Sequence, residues 1–176
     1  MRSGRPRKCA ECGGLQRLIH KTTDYRESGL DNLQLVDARI WECGNGHEEI
    51  EIPHAEQLHQ LLTSLLIRKP ALLRGPEIRF LRKELGLSGR AFAERLGLTP
   101  EHLSRLETGG RSITSTIDLL VRLAVGWELT RRERIEFPRD VAPSVTRIEA
   151  APDAELHRVR HCEDAPRERR WASVSV

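Results

Sequence analysis

The segment "GLSGRAFAERLGLTPEHLSRLETG", residues 86–109, narrows the fold of this chain more than any other. Ser88 can cap a short helix whose inward positions are Phe92, Ala93 and Leu96. Gly97 ends that helix, because glycine adopts the left-handed conformation without steric cost. Thr99 is then an N-cap and Pro100 a first helical residue, and "EHLSRLE" follows. Ala93 is small where two helices must approach closely, and Leu98 and Leu103 fill the space between them. Two short helices joined by a glycine turn form a helix-turn-helix. A generic helical bundle shares the apolar spacing. The small residue, the glycine, the cap and the later "LE-x-G" at fixed offsets favour the specific motif.

The flanks extend this unit over residues 75–126. Pro76 suits a first helical position, "EIRFLRKELG" puts Ile78, Leu81 and Leu85 on one face, and Gly86 stops it. "TGGRS" is a loop, and Thr114 or Ser115 caps "TIDLLVRLAVG". In a helix-turn-helix the second motif helix enters the major groove by its N-terminal half. The exposed candidates there are Thr99, Glu101, His102, Ser104 and Arg105. Arg105 has the geometry to bind guanine O6 and N7 together, and Glu101, one turn earlier, can accept from a cytosine amine or pair with Arg105. Thr99 and Ser104 are phosphate candidates, as are Arg90 and Arg111, although each arginine also reads as an ordinary solvated charge. The net charge of +3 is too mild to prove or exclude a nucleic-acid partner.

A second constellation lies upstream. Cys9-Ala-Glu-Cys12 is a CxxC knuckle followed by two glycines, and Cys43-Gly-Asn-Gly-His47 stands further on. Together they offer a Cys3His set for one tetrahedral ion, with Zn2+ the expected occupant in a structural role. His20 and His54 are alternative fourth ligands, and free cysteines are the competing reading. "LIHKTTDY", "LQLVDARIWEC" and "EEIEIP" alternate roughly as strands, with "ESGLDN" as a turn. Residues 9–54 therefore form a small β-rich, zinc-ribbon-like domain after a disordered basic arm, residues 1–8. "AEQLHQLLTSLLI" spaces Leu58, Leu61, Leu62, Leu65 and Leu66 as a helix face, Pro70 ends it, and "RKPALLRG" is a linker, so residues 55–74 connect the domains. Residues 127–176 read as a mostly disordered tail in which "RRERIEF" and "WASVSV" are possible strands, and Cys162 is a free thiol. The fold class is α+β.

The helical segment resembles the XRE/Cro-type helix-turn-helix family. That resemblance implies an ion pair between Arg82 and Glu107, and it places Gly89 where many members carry a DNA-contacting glutamine. From Cys9 to about Val125 the chain resembles the MqsA-type antitoxin/regulators, on "CAECGG", "GLDNLQL", "EEIEIP", "LHQLL", "EIRFLRKELGLSGRAFAERLGLTPEHLSRLETG" and "LLVRL". The family pattern has two CxxC knuckles, whereas Gly46 stands here at the fourth cysteine position and His47 is next. The resemblance implies a zinc-stabilised, DNA-binding homodimer that represses its own operon at a palindromic operator. In many members the zinc domain also binds a toxin protein.

The expected function is thus a sequence-specific, autoregulating repressor. The alternative is an antitoxin or adaptor that acts mainly by holding a protein partner through residues 9–67. An enzyme is not expected, because no paired carboxylates, nucleophile–base set or phosphate-binding glycine loop is evident. A metal-dependent hydrolase and a CxxC redox protein are the enzyme versions, and both are disfavoured; turnover coupled to peroxide or thiol and dependent on Cys9 would revive the second. Aromatics at 4% argue against a large aromatic-lined pocket. No apolar run approaches the roughly 20 residues of a membrane span, and no apolar stretch follows the basic N-terminus, so a cytoplasmic, nucleoid-associated protein is expected.

Overall fold

The computed structural model describes residues 7–131, 157–161 and 171–174. The architecture is α+β, and the chain divides into a sheet unit (Met1–Tyr25, Asn32–Gln57 and Leu156–Val176) and a helical unit (Arg26–Asp31 and Leu58–Glu155).

The sheet unit is built on two long antiparallel strands, β2 (Leu15–Asp24) and β3 (Leu33–Cys43). A short β1 (Arg7–Lys8) pairs antiparallel with the start of β2, and β4 (Glu48–Glu51) pairs antiparallel with Arg39–Glu42 of β3. The hairpin turns β1–β2 and β3–β4 lie at the same end of the sheet, because Gln16 pairs with Cys43. Cys9 and Cys12 sit on the first turn, and Cys43 and His47 bound the second.

β3 alternates imperfectly for a physical reason. Leu33 and Leu35 are buried, and so are Ala38 and Ile40, which shifts the phase by one residue between the pairs. The register with β2 shifts at the same place, between Lys21 and Thr23, and Asp37 has a φ of 58°. A bulge absorbs the extra residue and keeps both pairs on the buried face, and aspartate is among the few residues that tolerate such a φ.

Two further strands lie in the segment read as mostly disordered, Trp171–Ser173 within "WASVSV" and His157–His161 where no strand is expected. β5 (His157–His161) pairs parallel with Leu33–Val36 of β3, and β6 (Trp171–Ser173) pairs antiparallel with β5. Val159 is fully buried, and the Trp171 indole N–H donates to the Pro53 carbonyl at 2.9 Å. "RRERIEF", apart from its first residue Arg131, and Cys162 lie outside the described residues.

The helical unit comprises α1 (Ala55–Arg68, from Leu58 on), α2 (Gly75–Glu84), α3 (Gly89–Arg95), α4 (Pro100–Glu107) and α5 (Ser115–Arg131). Its core joins Leu58, Leu62 and Leu66 of α1 to Ile78 and Leu81 of α2, with Phe92, Ala93, Leu103, Leu106, Val121 and Val125 also buried. The caps follow the sequence. Ser88 accepts from Ala91 N–H at 3.2 Å, Thr99 from His102 N–H at 3.2 Å, and Thr114, rather than Ser115, from Ile117 N–H at 3.4 Å. Gly97 has a φ of 66°. α5 runs on past Gly126, where the apolar pattern had ended, because Glu128 and Leu129 are buried and Glu128 accepts from Arg95 at 2.8 Å.

The stretch between α1 and α2 is packed, although its composition reads as a linker. Arg122, itself 1% exposed, donates to the carbonyls of Leu66, Ile67, Lys69 and Ala71 and pairs with Asp118. Asp118 in turn accepts from Leu73 N–H at 2.7 Å, and Lys69 pairs with buried Glu77 at 2.9 Å. Two of these carbonyls, Leu66 and Ile67, lie in the last turn of α1, where helical partners are lacking, and those of Lys69 and Ala71 lie beyond it. Gly75 begins α2 where no side chain fits, since a Cβ there would stand 2.5 Å from the Leu106 carbonyl oxygen.

Candidate functional site

The metal-ligand cluster is assembled by the two hairpin turns. The first turn closes through Cys9 N–H to the Gly14 carbonyl at 2.8 Å and Gly13 N–H to the Cys9 carbonyl at 2.9 Å. The second closes through Cys43 N–H to the His47 carbonyl at 3.1 Å and Gly46 N–H to the Cys43 carbonyl at 3.0 Å. Gly46 has a φ of 81°, which suits glycine and leaves His47 to carry the donor atom.

One donor atom each from Cys9, Cys12, Cys43 and His47 lies within 4.8 Å of the others. The Cys12 and Cys43 sulfurs are 3.7 Å apart, and His47 Nδ1 is 3.6 Å from the Cys9 sulfur and 3.6 Å from the Cys43 sulfur. Zn–S bonds of about 2.3 Å and Zn–N bonds of about 2.0–2.1 Å at tetrahedral angles set S···S near ~3.8 Å and S···N near ~3.6 Å. The three spacings therefore fit a tetrahedral ion with soft sulfur and imidazole donors. All four positions come from the protein, which suits a structural rather than a catalytic ion. His20 and His54 are outside this set.

The electrostatics agree. Hydrogen bonding to the Cys12 and Cys9 sulfurs pushes the His47 imidazole up to about 9, and Cys43 adds to the same effect. The backbone N–H of Gly14, and then His47, draw the Cys12 thiol down. At Cys43 burial pushes upward but is outweighed by the backbone N–H groups of Asn45 and His47 and by Cys12. The Cys12 and Cys43 thiols are thus biased towards the thiolate form that a metal ligand needs. Sequence spacing did not reveal Glu11, whose carboxylate lies 3.6 Å from His47 Nε2, on the ring nitrogen facing away from the sulfurs. At that distance Glu11 is an electrostatic neighbour of the ring and not a hydrogen-bond partner.

The second site is the exposed side of the helix-turn-helix. Arg82 grips Glu107 with two hydrogen bonds, Nε to Oε1 at 2.7 Å and Nη2 to Oε2 at 2.9 Å, and donates to the Leu87 carbonyl at 2.9 Å. The Glu107 carboxylate holds the Arg82 guanidinium above its ordinary range. This pair ties the end of α2 to the end of α4 and fixes α4 from its buried side. Leu103 and Leu106 face inward, whereas Thr99, Glu101, Ser104 and Arg105 are exposed. Arg90 is exposed on α3. Arg111 is exposed after a loop whose Arg111 N–H bonds the Arg105 carbonyl at 3.2 Å, so the loop folds back over the end of α4. His102 is half-buried, and its Nε2 is enclosed without a hydrogen-bond partner among the described residues. Leu98 is also half-buried, while Leu103 is 1% exposed.

A mixed sheet with a four-donor cluster at one end, and a capped helix-turn-helix presenting one polar helix face, define a helix-turn-helix protein with a candidate metal-ligand cluster in the same chain. Residues 78–124 match the family model described as helix-turn-helix. Over 70 residues the chain is 34% identical to the propionyl-CoA carboxylase regulator of Cereibacter sphaeroides, a stretch that makes up 40% of this chain and 15% of that protein. No solved structure matches the chain. Among the described residues, no helix is long and apolar enough to cross a membrane.

Proposed function

We propose that the chain is a sequence-specific DNA-binding transcriptional regulator of the MqsA antitoxin type, a homodimer that represses its own operon at a palindromic operator. The observation that carries this reading is the exposed α4 face, Thr99, Glu101, Ser104 and Arg105, on a helix held from behind by Arg82–Glu107. Arg105 and Glu101 read base edges, and Arg90, Thr99, His102, Ser104 and Arg111 contact phosphates or flank the groove. The relative named a regulator supports the same class. Cys9, Cys12, Cys43 and His47 hold a structural Zn2+ that closes one end of the sheet. Binding-site selection on random duplex DNA tests the proposal. A two-fold symmetric consensus with half-sites one or more helical turns apart is the expected result, and no enrichment overturns it.

A second reading is favoured by one further observation. Leu15 is 69% exposed at the start of β2, beside a surface groove shared with Gln16, Arg17, Glu42 and Cys43. A partner covering the cluster end would meet Leu15 and this groove, and a toxin captured there is the antitoxin or adaptor function. A partner that co-purifies with the parent and is lost on Leu15→Asp supports it. Equal co-purification overturns it.

A further inference from the structure

The geometry points to a covalent modification site within the cluster: Cys12 and Cys43 are a peroxide-oxidisable pair whose disulfide replaces the metal as the clasp between the two hairpin turns. The inference rests on the zinc reading of the same residues for its metal-release arm only.

Three observations carry it. The Cys12 and Cys43 sulfurs are 3.7 Å apart, so closing to the roughly 2.05 Å of a disulfide needs only a small shift of two side chains. Cys12 is exposed, whereas Cys9 and Cys43 are each 4% exposed, so an oxidant from solvent meets Cys12 first. Cys9 and Cys12 share one turn, whereas Cys12 and Cys43 lie on different turns. A bond between Cys12 and Cys43 holds together the same two turns that the ion holds. A bond between Cys9 and Cys12 closes only its own knuckle and leaves the other turn free. A cross-link over the longer loop also removes more freedom from the unfolded chain.

The chemistry balances with a peroxide as oxidant. The Cys12 sulfur attacks one peroxide oxygen, the O–O bond breaks, and Cys12 becomes a sulfenic acid while the other oxygen leaves as water after taking a proton. The Cys43 sulfur then attacks Cys12, the S–S bond forms, the S–O bond breaks, and a second water leaves. Two thiols lose two electrons, and one peroxide becomes two waters. Two of the four donors are spent, so the ion is released, and Cys9 and His47 remain. The departure from a four-cysteine pattern matters here. With His47 in the fourth place only three sulfurs are available, so a single disulfide forms and Cys9 stays as a free thiol.

The test uses the full chain, first assayed for metal and then treated with hydrogen peroxide. Released metal is followed with a chromogenic chelator, and disulfides are mapped by mass spectrometry after cleavage following Glu11, which separates Cys9 from Cys12. One linkage joining Cys12 to Cys43, with one ion released per disulfide formed, is the expected result. A Cys9–Cys12 linkage, a linkage to Cys162, or sulfinic acid on Cys12 without any linkage overturns the inference. A preparation that holds no metal before peroxide defeats the zinc reading instead, and the linkage map of that same preparation still decides the disulfide. The map is made on the wild-type chain, so no variant has to fold.

Discussion

The two units are held together by opposite means. The helical unit buries apolar side chains from Leu58 to Leu129, and its buried charges are paired: Arg122 with Asp118, Lys69 with Glu77, Glu128 with Arg95. Among the described residues, the cluster end of the sheet unit buries little apolar surface beyond Trp41. There Cys9 and Cys43 are buried, Cys12 and Leu15 are exposed, and the spacing of four donor atoms replaces packing. A small unit without enough apolar surface needs a staple, and a metal supplies one. The difference is that one unit folds from its own core, whereas the other would have its folding linked to metal concentration if the four donors hold an ion.

The sharpest way to break this contrast is to remove the metal. Chelation is expected to disorder the hairpin turns around Cys9–Gly14 and Cys43–His47 while α2 to α5 remain folded. In amide NMR spectra, dispersion should be lost over the sheet unit and kept over residues 75–131. Equal loss in both units contradicts it. Arg122→Met attacks the other side. It leaves Asp118 and several backbone carbonyls without their buried cation, and about 3–5 kcal/mol of stability should be lost in urea unfolding, with metal content unchanged. Gly75→Ala is milder. Its Cβ meets the backbone of Leu106 and Glu107, which cannot swing aside as a side chain can, so about 1–3 kcal/mol is expected, again with metal content unchanged.

A further effect comes from pH. In the metal-free cluster the sulfurs of Cys12 and Cys9 hold the His47 proton up to about 9, and that proton must leave before Nδ1 can bind an ion. Metal uptake at neutral pH therefore releases it. Counting His47 alone, the apparent affinity should weaken about tenfold for each unit that pH falls below that value, as read by competition with a chelator indicator. An affinity flat from pH 9 to 7 contradicts His47 as a ligand. The metal-free cluster has the opposite linkage, because a raised imidazole stabilises the folded form below its own range and loses that contribution as pH rises through about 9.

The helix-turn-helix was legible because its information is local. Caps at Ser88 and Thr99, the turn at Gly97 and the inward Phe92, Ala93 and Leu103 all lie within a few residues of what they specify. The donor set was legible from spacing, since two turns with Cys and His at short intervals converge once the hairpins pair. Three features were not legible, and each depends on partners distant in sequence. β5 pairs in parallel with β3 from more than a hundred residues away, and a parallel pairing leaves no turn signature. Asp118 and Arg122, at i and i+4, carry no local sign of burial, which depends on the carbonyls of Leu66 to Ala71. Gly75 looks like loop composition, and its reason is the backbone of α4. The bulge at Asp37 blurred the alternation of β3 for the same kind of reason, because the register with β2 decides which face is buried.

The central claim, that α4 reads DNA, is tested most directly by measuring the affinity of Arg105→Ala for the selected operator beside the parent. Arg105 is exposed and sits on a helix fixed by Arg82–Glu107, so its removal should leave folding and metal content intact. The account predicts a loss of about 1–3 kcal/mol in operator binding, with preference relaxed at one base of each half-site. Unchanged affinity and unchanged preference would contradict it.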